Sequence, residues 1–318
     1  MSGLLRAVRV GRGLAGYAAF VLGFMVLVIL EGAVVRATGS GAGCGAHWPL
    51  CNGQVIPHHP RIATMIEFAH RSLTGLESTF FIVLIAWIFY AREKGDRARR
   101  AAVWVGILLV IEALLGAVLV LGQYVERNAS NARVLVQGVH FTNTMLLLGA
   151  TTLAWWWLRP RESVVAGVEA RSLAWLALLA TIVVGATGSV AALADTLFPS
   201  PSFQAGLAED FSAAAPLLVR MRWVHPAAAL VGVVCAGWLC LRVRSRVAKW
   251  LVGLMVLQLV LGVGDVLLLA PTWMQVLHLL GADLYWIALV GLAANVLWPD
   301  AESRFPAGMT ARKATATA

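Results

Sequence analysis

The sequence predicts an all-α integral membrane protein: eight transmembrane helices forming two tandem four-helix bundles related by a pseudo-two-fold axis along the membrane normal. Three observations carry this. Of 318 residues, 60% are hydrophobic and 13% charged, and mean hydropathy is +0.79, a balance outside the range of soluble domains. Apolar runs recur at the length a helix needs to cross a bilayer core, about 20 residues. The two halves also carry matching motifs, the mark of an internal repeat.

The runs lie near 14–34, 67–90, 101–122, 134–158, 172–194, 220–241, 248–269 and 274–297. They are continuous rather than alternating, so helices and not a β-barrel are the spanning solution. The first run follows Arg6, Arg9 and Arg12, as a signal peptide would. It is longer than a typical signal core and lacks a clear small-residue cleavage site, so it reads as a span.

The net charge of +9 is sorted by connection. Of 25 basic residues, 18 fall in the termini and the even-numbered connections, leaving Arg36, Arg61, Arg71, Arg127, Arg133, Arg220 and Arg222 on the other side. This asymmetry places both termini in the cytoplasm of a bacterial-type inner membrane, with the odd-numbered connections outward. No folded domain remains to display a basic surface, so nucleic acid is excluded as a partner. The lipid bilayer is the partner that composition does imply.

The charged stretch "RPRESVVAGVEAR" at 159–171 divides the chain. Residues 1–160 form the first bundle, 161–299 the second, and 300–318 a disordered cytoplasmic tail. "ATGS" at 37–40 recurs at 186–189, "EFAHR" at 67–71 is matched by "RWVHP" at 222–226, "LLGAVL" at 114–119 by "VLGVGD" at 260–265, and "QGVH" at 137–140 by "QVLH" at 275–278. An even number of spans per half gives the two copies the same orientation.

The repeat aligns His70 with His225 and His140 with His278, each expected about two turns into its span from the outward side. One membrane histidine is often a packing hydrogen bond. Two imidazoles facing each other across each bundle at one depth are what axial ligation of a planar macrocycle requires. A structural zinc site wants four Cys or His ligands. A di-iron carboxylate site would use Glu67 and His70 as its i, i+3 pair, but needs a second such pair, and Arg222 stands where the repeat would place it. Haem brings its own equatorial nitrogens and needs only the histidines and an apolar pocket. Glu67 is close enough along the helix to reach the rim of such a group, or else pairs with Arg71 as a helix ion pair, and Arg222 is able to hold a carboxylate bidentately. Asp265 and Glu112 lie in spans without an evident partner and stay unassigned. Cys44 and Cys51, seven apart in the outward loop 36–66, read more readily as a disulfide than as free or redox-cycling thiols.

With "EGAVVRATGSGAGCGAHWPLCNGQVIP", "EFAHR" and the later histidines in view, the chain resembles the haem A synthase family over essentially all eight spans. The resemblance implies oxidation of a ring methyl of haem O to a formyl group, giving haem A for terminal oxidases. It implies haem B held by His225 and His278 in the second bundle, and substrate haem O flanked by His70 and His140 in the first. It further implies Glu67 as the catalytic carboxylate and Cys44–Cys51 as a disulfide. Haem O synthase is a candidate partner, and the electron donor is left open. His47, before the tryptophan, departs from the acidic residue that relatives often carry. The rival readings are a non-catalytic di-haem cytochrome passing electrons between quinone and an outside acceptor, and a transporter whose histidines line a proton or metal path.

Overall fold

The computed structural model describes residues 2–299 except 163 and 165, and the side chains from Gly13 onward. The expected tail, 300–318, lies outside the described residues. Among the described residues ten helices run in chain order: α1 Ser2–Ala37, α2 Ile62–Ala91, α3 Arg97–Leu121, α4 Asn131–Trp157, α5 Val168–Leu197, α6 Phe203–Asp210, α7 Leu217–Arg220, α8 Val224–Arg242, α9 Arg246–Leu267 and α10 Thr272–Leu297.

Several helix starts follow from local chemistry. Asp96, Ser130, Ser202 and Ser245 each accept a hydrogen bond from a backbone N–H of the first turn they cap, satisfying donors that have no partner within the helix. Pro271 precedes α10, and Pro226 falls in the first turn of α8, where its missing N–H costs little.

Among the described residues, seven stretches are long and apolar enough to cross a membrane, including α7 and α8 taken together as Leu217–Arg242. The chain is a multi-pass membrane protein. The eighth predicted span is the long helix α4, which falls outside that set. Its Arg133, Gln137, His140 and Asn143 lower its apolar character. Sequence reading missed α6 altogether and merged α7 into the sixth run, because short helices in a polar connection carry no long apolar signal.

Helix neighbours form two closed circuits. In one, α1 packs on α2, α2 on α3, α3 on α4 and α4 back on α1; in the other, α5 packs on α8, α8 on α9, α9 on α10 and α10 back on α5. The circuits meet along α1, α4, α5 and α10, and these helices bury Leu14, Met25, Leu147, Leu148, Leu193, Leu289 and Leu292, while α2, α8 and α9 bury Phe81, Leu84, Ile88, Leu239 and Leu251. Two tryptophans close the seam reciprocally. Trp156 of α4 lies over Gly291 of α10 and donates to Asn295 Oδ1 at 2.8 Å, while Trp286 of α10 lies over Gly149 of α4 and donates to the Met145 carbonyl at 2.8 Å. The outer faces of α2, α3, α8 and α9 expose Tyr90, Trp104, Leu241, Trp250 and other large apolar groups, a surface suited to hydrocarbon rather than water.

One expected register is corrected. Ala37 ends α1 and 38–40 lie in the turn beyond it, whereas 186–189 lie inside α5. The "ATGS" match is therefore a coincidence of small residues. The register that the structure supports sets Gly32 against His70 and Gly188 against His225.

Candidate functional site

The connections 38–61, 122–130, 198–223 and 268–271 join alternate helices and share one end of the molecule, where Gly41 sits against Val125. All four candidate histidines lie in helices near this end. His70 and His140 sit in the third turns of α2 and α4, and His278 in the second turn of α10. His225 is the correction: it opens α8 rather than lying two turns into it, because the chain breaks between α7 and α8.

The structure brings His225 and His278 together. Their ring centroids are 6.3 Å apart, with the planes crossing at 81°. Two axial imidazoles bonded to one metal at about 2 Å, through nitrogens about 1 Å from their ring centres, set the centroids about 6 Å apart. The centroid spacing of the pair is therefore that of two imidazoles on one metal. His225 Nδ1 is 3.1 Å from the Val184 carbonyl. That contact holds the proton on Nδ1 and leaves the Nε2 lone pair for a ligand. His278 Nδ1 is buried without a hydrogen-bond partner among the described residues.

Glycines cradle three of the four rings. A Cβ built on Gly188 would lie 2.9 Å from His225 Cε1, on Gly32 3.0 Å from His70 Cε1, and on Gly262 3.2 Å from His278 Cε1. Any side chain there would push the imidazole out of place.

The first half is built differently. Among the described residues no ring contact joins His70 to His140; each faces a carboxylate instead. His70 Nδ1 is 2.6 Å from Glu31 Oε2, off the line of a straight hydrogen bond, and His140 Nδ1 is 3.6 Å from Glu112 Oε1. Glu112, unpartnered on sequence grounds, accepts from Asn143 Nδ2 at 2.6 Å and from the Thr144 hydroxyl. Asp265 Oδ1 has no hydrogen-bond partner among the described residues.

Glu67 is buried and fully engaged. Its Oε2 accepts the Cys44 N–H at 2.7 Å and its Oε1 accepts from Arg71 Nε at 3.1 Å and Nη2 at 2.5 Å. Arg71 Nη1 in turn donates to the His47 and Leu50 carbonyls. Cys44 and Cys51 form a disulfide. Glu67 and Arg71 thus clamp the disulfide loop onto the head of α2. His47, His58 and His59 are exposed.

Arg222, which the repeat aligns with Glu67, performs the matching task with opposite charge. It donates to Asp210 at 2.7 Å, Asp195 at 3.2 Å and Ser200 at 3.1 Å, and lies 3.4 Å from Glu209. Its guanidinium is spent on α6 and the end of α5, which corrects the expectation that it is free to hold a ligand carboxylate. Arg36 does not reach for the membrane surface. It crosses from α1 to donate to the Ala192 carbonyl at 2.7 Å, Thr196 Oγ1 at 2.6 Å and Gln275 Oε1 at 2.7 Å, one turn before His278.

Glu31, Asn143, Thr144 and Gly32 escaped sequence reading, whereas Gly188 and Gly262 fall in the repeat motifs "ATGS" and "VLGVGD" without their contacts to histidine being foreseen. The signal for the glycines was present, since Gly32 and Gly188 stand at nearly the same spacing from their histidines.

A membrane-embedded helical protein with two histidines brought together across a four-helix circuit has the arrangement in which helix bundles build metal and cofactor sites. Residues 15–290 match the cytochrome oxidase assembly protein family COX15-CtaA, and the chain belongs to that family, the haem A synthase family. It is 44% identical over 298 residues to a Thermus thermophilus protein named Protoheme IX farnesyltransferase, a match covering 89% of this chain and 48% of that protein. It is 43% identical over 93 residues to the Heme A synthase of Alkalihalophilus pseudofirmus, 29% of this chain and 31% of the relative. With the Heme A synthase of an Exiguobacterium strain it shares 39% over 110 residues, 35% and 36% of the two chains. The match thus spans about half the length of the Thermus relative and about a third of the other two.

Proposed function

We propose that the chain is a haem A synthase, oxidising one ring methyl of haem O to a formyl group by successive hydroxylation and loss of water. The observation that carries this is the facing His225–His278 pair at 6.3 Å in a chain of this family. The two circuits of helices support eight spans in two tandem bundles related by a pseudo-two-fold axis, 1–160 and 161–299. The second bundle holds haem B through His225 and His278, and the first receives haem O between His70 and His140. Haem B, when bound, would supply a one-electron relay between the substrate site and a redox partner outside the protein, through which the four electrons of the methyl-to-formyl oxidation are exchanged.

The chain's own residues do the rest. The carboxylates of Glu31 and Glu112 stand behind His70 and His140, and the packed seam at α1, α4, α5 and α10 joins the halves. Glu67 is the catalytic carboxylate. Anchored by Arg71 and the Cys44 N–H, its carboxylate is carried on the helix of His70 to stabilise the positive charge that develops on the methyl carbon during oxidation. The basic-residue count supports a bacterial inner-membrane location with both termini cytoplasmic. Haem O synthase is a fitting partner. The Thermus relative bears a farnesyltransferase name and extends well beyond the matched region, so its remainder is a natural place for the preceding step.

Expression with and without a haem O supply, followed by pigment extraction, tests the reading. Haem A is expected only with haem O present, and Glu67→Gln is expected to keep bound haem while abolishing haem A. Absence of haem A from the wild type overturns the proposal. The second reading, a non-catalytic di-haem cytochrome, is favoured by one observation: the Glu67–Arg71 ion pair gives Glu67 a structural task. Full haem A yield in Glu67→Gln would remove the catalytic role.

A further inference from the structure

We propose that Glu31 is a positioning residue for His70, and that the chain sets its two haem sites apart through the groups standing behind their histidines. This rests on the haem-ligation reading above. In the first half both histidines face carboxylates, Glu31 at 2.6 Å and Glu112 at 3.6 Å. In the second, His225 has the neutral Val184 carbonyl at 3.1 Å and His278 Nδ1 has no hydrogen-bond partner among the described residues.

The contrast is position by position. With Gly32 aligned on Gly188, both packed on the Cε1 edge of a histidine, Thr187 stands where the first half has Glu31. With 114–119 aligned on 260–265, Gln258 stands where the first half has Glu112, and it donates to the His278 carbonyl at 3.0 Å. The repeat thus keeps all four histidines and, for His70 and His225, the glycine cradle, and it puts neutral residues at the two carboxylate positions.

His70 Nδ1 lies 2.6 Å from Glu31 Oε2, within the reach of a charge-assisted hydrogen bond once the ring turns its N–H onto the carboxylate. A carboxylate taking that proton in a hydrogen bond pushes charge into the ring, makes Nε2 a stronger donor and fixes the ring's orientation. A carbonyl does the same more weakly, because charge-assisted hydrogen bonds are about twice as strong as neutral ones. A stronger axial donor favours the ferric over the ferrous state. The first-half haem therefore has the lower midpoint potential, and it is the more readily oxidised of the two.

The test uses the full chain, expressed with a haem O supply and purified with haem in both halves, under spectroelectrochemical titration. Loss of an outer-shell partner changes metal affinity about 10- to 100-fold. A tenfold loss of ferric preference in a one-electron couple is about 59 mV. Glu31→Gln is expected to raise the lower midpoint, by about 59 mV for each tenfold loss of ferric preference, and leave the upper one in place. Thr187→Glu, which transplants the carboxylate, is expected to lower the upper midpoint. Unmoved midpoints in Glu31→Gln overturn the proposal. If that variant lacks the first-half haem, Thr187→Glu decides: a lowered upper midpoint supports the proposal, and an unchanged one overturns it. His70→Ala separates the two levels. Retention of both haems there removes the ligation reading and this proposal together, whereas loss of one haem with an unmoved Glu31→Gln midpoint removes this proposal alone.

Discussion

Gly188→Ala places a single methyl group where the second-half site has no room for it. The new Cβ would stand 2.9 Å from His225 Cε1 and 3.1 Å from Nδ1. Carbon atoms rest at about 3.5–4.0 Å, so the ring must retreat by about 0.6 Å or more. That movement stretches the Nδ1 contact to Val184 and tilts the ring out of its 6.3 Å pairing with His278. Overpacking of this kind costs about 1–3 kcal/mol, which is roughly 5- to 150-fold in haem affinity. In the helix itself alanine is favoured over glycine by about 1 kcal/mol, so the apoprotein keeps its fold while haem is lost. The assay is the haem-to-protein ratio after dilution and gel filtration, with the visible spectrum. Gly253→Ala, where nothing lies within 4 Å of the new Cβ, is the control. Full haem retention with an unaltered spectrum in Gly188→Ala would refute the reasoning.

Three further outcomes follow from the same contacts. Arg222→Met leaves Asp195, Glu209 and Asp210 without their shared cation and loosens α6, at about 2 kcal/mol; faster proteolytic cutting within 198–216 is expected, with helicity unchanged. Arg36→Met removes three hydrogen bonds that join α1 to α5 and α10, so the temperature of haem release in detergent should fall, and Arg36→Lys should recover only part of it. Cys44→Ser frees the loop that Glu67 and Arg71 hold, and Cys51 then becomes open to maleimide, whereas in the wild type both sulfurs react only after reduction.

The eight apolar runs were legible because burial in lipid imposes long uninterrupted hydrophobic stretches, and each run corresponds to a long helix. The four histidines stood out because a titratable group is costly in such a stretch. What surrounds them was far less visible. Glu31 sits in "LEGAVV", one residue before the glycine that meets His70, and nothing in a linear pattern says that α1 turns that face toward α2. The Glu67–Arg71 pair was readable from its i, i+4 spacing, but the Cys44 N–H that completes it comes from a loop whose path depends on tertiary packing. The "ATGS" register misled because small residues recur throughout packed membrane helices, while the glycines that matter are marked only by what touches them.

The division of labour between the halves is tested most directly by four single substitutions, each read for both bound haem B and haem A output. His225→Ala and His278→Ala are expected to lose haem B, while His70→Ala and His140→Ala keep it and still fail to make haem A. Haem B retained in the first pair, or haem A produced by the second, would contradict it.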